Sequence, residues 1–283
     1  MKYSPLLGGG KPADFPLQFP AAQLELTSMA VTPIELLPND GSVEPISHGT
    51  GFFWRAGSRV FLITARHVVS GLYPFDDSLV SKMGYLPERI RIFPSRYEQQ
   101  VGAAPTARLV GIELNVREDG RPMWLEDPRF QELRTDIAAL ELPIGETERL
   151  VCLNDNPNTF PDMFSHVGFE CVVVGYPTRH FGGLMTPIWR RGTIASEPAL
   201  PVDGKPMFLL DASTSPGFSG GPVFRRHIGP LPTHGPDGGI IIQPTTVVTT
   251  SFVGVYAGRL EHSHFGGEVP FVFYGNRIPE ILA

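Results

Sequence analysis

Short apolar runs that stop at glycine or proline recur along this 283-residue chain. Phe61-Leu62-Ile63, Cys171-Val172-Val173-Val174 and Met207-Phe208-Leu209-Leu210 each read as a buried strand, and Thr245 to Gly258 reads as a longer β-branched one. Gly (31) and Pro (29) punctuate these runs, while charged residues make up only 18%. That balance suits many short strands joined by turns and does not suit long helices. Each half carries about six strand candidates. At 42% hydrophobic content the chain can bury a sizeable core, as one large domain or two modest ones. We therefore expect an all-β protein.

Residues 1–22 are Gly/Pro-rich and read as an N-terminal arm, residues 23–150 as a first unit and residues 165–283 as a second. Leu24 to Leu37 alternates and predicts one or two strands. Gly49 to Trp54 and Val60 to Ile63 predict a hairpin about Ala56-Gly57-Ser58. Arg89–Pro94 and Ala107–Val116 have strand character, and Glu126–Arg134 suits a short loop helix. Pro143 to Phe164 reads as the crossover between the two units. Ile188–Ser196 predicts another strand, and Gly229–Gly239 a loop between two strands.

Charge and motif content narrow the function classes. The net charge is −6 and no basic run occurs, which speaks against nucleic acid as a partner. No stretch has the roughly 18 apolar residues of a membrane span, and the N-terminus lacks a secretory apolar region. Cys152 and Cys171 admit one bridge or two free thiols; we expect buried free thiols and a cytoplasmic protein. No phosphate-loop glycine motif is present. His262 and His264 form an HxH pair with no third ligand in view, so we expect no metal and no organic cofactor.

One segment suggests a chemistry: Gly217-Phe218-Ser219-Gly220-Gly221-Pro222. It sets a serine between glycines in a tight turn just before the apolar Val223-Phe224. A serine hydroxyl becomes a useful nucleophile only when a base accepts its proton. Glycines let the backbone bend so that its N–H groups face a developing oxyanion. Alone, the string fits a Gly-rich hairpin equally well. Two other segments change that. Phe61 to Val69 is an apolar strand running into Thr64-Ala65-Arg66-His67, and an imidazole can take and return a proton near neutrality. Thr135-Asp136-Ile137-Ala138 sets a carboxylate at the head of a strand, which predicts that it is buried and oriented. The rival carboxylates Asp76, Asp77 and Asp127 sit in polar, loop-like settings.

The order His67, Asp136, Ser219 is the one used on double β-barrels. With these motifs the chain resembles the trypsin/chymotrypsin-like serine proteases, most of all the cysteine-poor bacterial branch that includes the Deg-type proteases. The resemblance spans roughly residues 45 to 260. It implies two perpendicular antiparallel six-stranded barrels with the site in the crevice between them. It also implies peptide-bond hydrolysis through an acyl-enzyme, with His67 as base, Asp136 orienting it and Ser219 as nucleophile. A helical turn after His67, over Val68–Leu72, is implied as well. So is an oxyanion hole formed by the N–H groups of Gly217 and Ser219, and a ready site would hold Ser219 Oγ about 3 Å from His67 Nε2.

Further expectations rest on the same resemblance. Ser213 falls at the base of the specificity pocket. Val253–Arg259 supplies its wall, with Ala257, Gly258 and Arg259 facing a protein or peptide substrate whose backbone adds as a strand. Ala257 stands where many relatives carry a hydroxyl that bonds the catalytic aspartate, and Arg259 where many carry glycine. Phe218 stands where relatives activated by cleavage carry an acid that pairs with the new N-terminus. Phe218 cannot form that pair, so the oxyanion turn is held by other means or ordered by an activating protein partner. The contrasting reading is a catalytically silent binding module on a protease fold.

Overall fold

The computed structural model describes residues 19–20, 25–38, 44–81, 84–98, 106–109, 111–143, 150–155, 165–178, 181–182, 185–234, 236–237, 239–262 and 267–283. Of the arm, only Phe19–Pro20 fall within them, paired with Thr106 and Ala107. Most of the 143–164 crossover lies outside the described residues, as do His264 and the side chain of His262.

The protein is all-β, with two main sheets. The second sheet is a closed six-stranded barrel built from Glu170–Gly175, Ile188–Ile194, Met207–Ala212, Gly267–Tyr274, Ile240–His262 and Pro222–His234 in spatial order. The first is a curled sheet of seven strands and not a closed barrel of six. Its order is Leu125–Glu126, Ala138–Glu141, Arg59–Thr64, Ser47–Ala56, Val31–Leu37, Arg89–Ile92 and Ile112–Asn115.

Alternation along the strands explains how the two sheets meet. Successive side chains of a strand point to opposite faces. Phe53, Leu62, Ile34 and Ile92 fill the first sheet's own core. Their neighbours Phe52, Phe61 and Ile63 point the other way, into a shared core with Val172, Val174, Phe224, Val255 and Phe273 of the barrel. Both faces of the 51–53 and 60–63 stretches are thus apolar and buried, which is why these segments read as continuous apolar runs. Each fully buried phenylalanine contributes about 1.5–3 kcal/mol. A third cluster, with Val173, Phe208, Phe218, Val223 and Tyr256, fills the barrel interior.

The structure departs from the sequence expectations in several places. The predicted 24–37 strand region opens with a helical turn, Leu26–Ala30, before the strand Val31–Leu37. The turn after His67 starts earlier than expected, at Arg66, and ends at Ser70 against Gly71. The run 107–116 splits between two sheets, Thr106–Leu109 in one and Ile112–Asn115 in the other. The short loop helix expected in 126–134 is present as a single turn, Phe130–Leu133, after Leu125–Glu126 has paired with Ala138–Ala139. Gly229–Gly239 is not a loop: its first part continues the Pro222–His234 strand, which pairs with Ile240–Val255. Two prolines there, Pro230 and Pro232, suggested a break. Proline is tolerated because the 226–234 stretch pairs on one side only among the described residues, and an open edge asks for no N–H.

Candidate active site

Strand register brings His67 to Asp136. Ala138 lies opposite Thr64 in the antiparallel pair. Asp136 just precedes the one strand and His67 just follows the other, so both emerge at the same edge. Buried Val68 and Val69 root the helical turn that carries His67 in the first sheet's core. Asp136 is fully buried. Its Oδ2 lies 2.6 Å from His67 Nδ1, and its Oδ1 accepts the backbone N–H of the same histidine at 2.8 Å. One carboxylate therefore fixes both the ring and the backbone of His67. With Nδ1 engaged, Nε2 is the ring nitrogen left to exchange a proton.

Ser219 enters from the barrel. Its loop joins the 207–212 and 222–234 strands. Gly217 has φ +100 and Gly220 has φ +88, conformations that a side chain strongly disfavours. A Cβ on Gly220 would collide with Thr50 O and Thr64 Oγ1 and lie 2.7 Å from Ala65 N. The residue after the serine therefore packs on the strand end that leads to His67. The serine carbonyl accepts the N–H of Thr50 at 2.8 Å. Phe218 turns into the barrel interior, fully buried and edge-on to Tyr256. Among the described residues, no hydrogen bond joins Ser219 Oγ to His67 and none engages the N–H of Gly217 or Ser219.

The segments expected to bound the substrate lie side by side. Gly220 N–H donates to Tyr256 O at 2.8 Å, and Tyr256 N–H to Gly221 O at 2.9 Å. The hydroxyls of Thr214 and Tyr256 are 2.6 Å apart, and burial pushes the Tyr256 phenol up to about 12 despite that bond. Ser213 is exposed, Ala257 is buried without a hydroxyl to offer, and Gly258 sits at a bulge. Arg259 is ion-paired with Glu268, so its charge is compensated.

Residues that sequence reading passed over complete the site. Thr50 Oγ1 donates to Gly217 O at 2.7 Å and accepts from Tyr176 N–H at 2.9 Å. The rival Asp127 is also a buried carboxylate, contrary to its polar surroundings in sequence. Arg277 grips it through two hydrogen bonds of 2.9 Å, and Thr135 Oγ1 donates to it at 3.0 Å. The only hint of Thr50 in the sequence is its place between Gly49 and Gly51; Arg277 leaves no local signal.

The sequence profile of the trypsin-like peptidase domain matches residues 49–229, a span that holds all three candidate catalytic residues. The chain belongs to the trypsin-like peptidase family. A comparison with curated proteins finds no match. Among solved structures, this trypsin-like peptidase is similar to the thermostable serine protease AL20 from an extremophilic microorganism, at 14% identity and a TM-score of 0.48, covering 91% of this chain and 96% of that one. It is also similar to the inactivated protease paralogue S-I1 of the scabies mite, at 18% identity and a TM-score of 0.46, covering 92% and 95%. Among the described residues of this peptidase, Cys152 and Cys171 are free and buried, and burial pushes both thiols up to about 12. No described helix is long and apolar enough to cross a membrane, and no described cluster of acids, histidines and cysteines could hold a metal.

Proposed function

We propose that this peptidase is a serine endopeptidase that cleaves peptide bonds through an acyl-enzyme. The observation that carries this reading is the double grip of buried Asp136 on His67, beside the glycine-flanked Ser219 loop. Ser219 Oγ attacks the scissile carbonyl as His67 Nε2 takes its proton. Asp136 holds the imidazole in one tautomer and stabilises the imidazolium. The N–H groups of Gly217 and Ser219 receive the oxyanion, and His67 then protonates the leaving amine. Water repeats the sequence on the acyl-enzyme. The absence of a Ser219–His67 hydrogen bond is compatible with this course, because such contacts tighten in the substrate complex.

The substrate is a protein or peptide laid as an added strand along Ala257–Arg259, the end of the Val253–Arg259 segment that has a barrel neighbour on one side only, with Ser213 at the base of its pocket and Ala257, Gly258 and Arg259 along its wall. Two free thiols fit a reducing compartment such as the cytoplasm. Labelling of the purified chain with a fluorophosphonate tests the reading. We expect the wild type to be labelled and Ser219→Ala and His67→Ala not to be. A wild type that stays unlabelled both alone and in extract of its source cell would make the chain a silent module.

A further inference from the structure

We infer that Thr178 and Thr50 are positioning residues that hold the oxyanion turn of Ser219 in its working shape in the chain as it stands, with no cleaved N-terminus and no activating partner. This rests on the serine peptidase reading above. In a trans peptide unit the C=O and the N–H point in opposite directions, and the described chain contains no cis bond. Holding the carbonyl therefore aims the N–H.

Each carbonyl of the turn is held. Pro216 O accepts both the N–H of Thr178 at 2.9 Å and its Oγ1 hydroxyl at 2.8 Å. The Gly217 N–H in the same peptide unit consequently faces away from Thr178. Phe218 O accepts Gly221 N–H at 2.8 Å, which aims the Ser219 N–H. Gly217 O takes the Thr50 hydroxyl at 2.7 Å, and Ser219 O takes the Thr50 N–H at 2.8 Å. Among the N–H groups, Gly220 and Gly221 are engaged within the fold, whereas Gly217 and Ser219 are the two left to receive an oxyanion.

The turn also has little room to rearrange. A Cβ at Gly217 would lie 2.7 Å from Thr178 N and still closer to Tyr176 O, so the glycine is wedged against the 176–178 segment. Flipping the peptide between residues 216 and 217 would break both bonds to Thr178 and turn a carbonyl towards the oxyanion. Thr50 is fully buried and belongs to the first sheet, so it braces the turn across the boundary between the two units. Phe218, in the barrel interior, supplies an apolar anchor where cleavage-activated relatives are implied to use an ion pair.

The test measures the second-order rate of fluorophosphonate labelling on purified full-length chain, together with thermal unfolding. The wild type should react without any addition. Thr178→Val keeps the backbone bond and loses the hydroxyl, so its rate should fall about tenfold with the unfolding temperature unmoved. Thr178→Ser should retain the wild-type rate, which a merely structural role for the methyl group would not explain. Thr50→Val should be slower by about a hundredfold. Should Thr50→Val fail to fold, the exposed Thr178 pair decides alone. Labelling of Thr178→Val at the wild-type rate overturns the inference. A wild type that reacts only once source-cell extract is added also overturns it, while leaving the peptidase reading intact. Failure of that reading differs from both, because nothing is then labelled under any condition.

Discussion

Asp127 and Asp136 are both buried carboxylates at one edge of the first sheet, yet their surroundings make them different objects. Asp127 meets the guanidinium of Arg277 in a two-pronged pair, with Thr135 Oγ1 and Arg129 N–H completing its set of donors. Every partner is a fixed donor, and the pair fastens the C-terminal helix Arg277–Leu282 to the loop ahead of Asp136. Asp136 meets an imidazole and the backbone N–H of the same residue. A guanidinium stays charged throughout, so its pair can only hold structure. An imidazole gains and loses a proton near neutrality, so its pair can take part in chemistry. Burial of a carboxylate therefore does not mark a catalytic group; the chemistry of its partner does.

The sharpest way to break this contrast is to neutralise each acid in turn. Asp136→Asn should slow fluorophosphonate labelling by on the order of 10⁴-fold, since the amide favours the wrong tautomer of His67, while circular dichroism and unfolding stay close to wild type. A loss under tenfold would remove Asp136 from the proposed triad. The converse holds for the other acid. Arg277→Met leaves the Asp127 carboxylate buried without its counter-charge and should cost about 3–5 kcal/mol of stability in denaturant unfolding. Adding Asp127→Asn to that variant should recover most of the loss, because removing both charges of a buried pair is often close to neutral. If Arg277→Met were as stable as wild type, the pair would be no latch.

A third acid sharpens the comparison at the surface. Asp155 is exposed and accepts a hydrogen bond from Arg55 Nε at 2.8 Å. Burial alone would raise its pKa, but the Arg55 hydrogen bond and the Cys152 N–H outweigh burial and lower it. A carboxyl lowered in the folded state stabilises above its unfolded value and loses that contribution as pH falls through the folded one. Asp155→Asn should thus flatten the acid limb of stability below about pH 4, measured by unfolding midpoint against pH. The effect should stay under about 1 kcal/mol because solvent screens the pair.

Much of the molecule was readable in advance, for local reasons. The 47–56 and 59–64 hairpin followed from apolar runs around Gly57-Ser58, and the glycines of the Ser219 turn pointed to a bent backbone, which takes positive φ at Gly217 and Gly220. The misreadings have local causes as well. Prolines 230 and 232 signalled a loop because a proline normally interrupts a ladder; an open strand edge removed that penalty. Asp127 looked solvated because its neighbours in sequence are polar, whereas its burial is due to Arg277, which is 150 positions away.

By itself, then, the sequence determined the all-β class, the turn chemistry around Ser219 and the three candidate catalytic side chains, because strand periodicity and glycine conformations are properties of a few consecutive residues. Tertiary structure alone decided that the first sheet curls open with seven strands, that Asp127 pairs with Arg277, and that Thr50 and Thr178 hold the carbonyls of the Ser219 turn. Those features are contacts between distant segments. A hydroxyl or a guanidinium can serve many acceptors, and only the packing of the two units selects which one it meets.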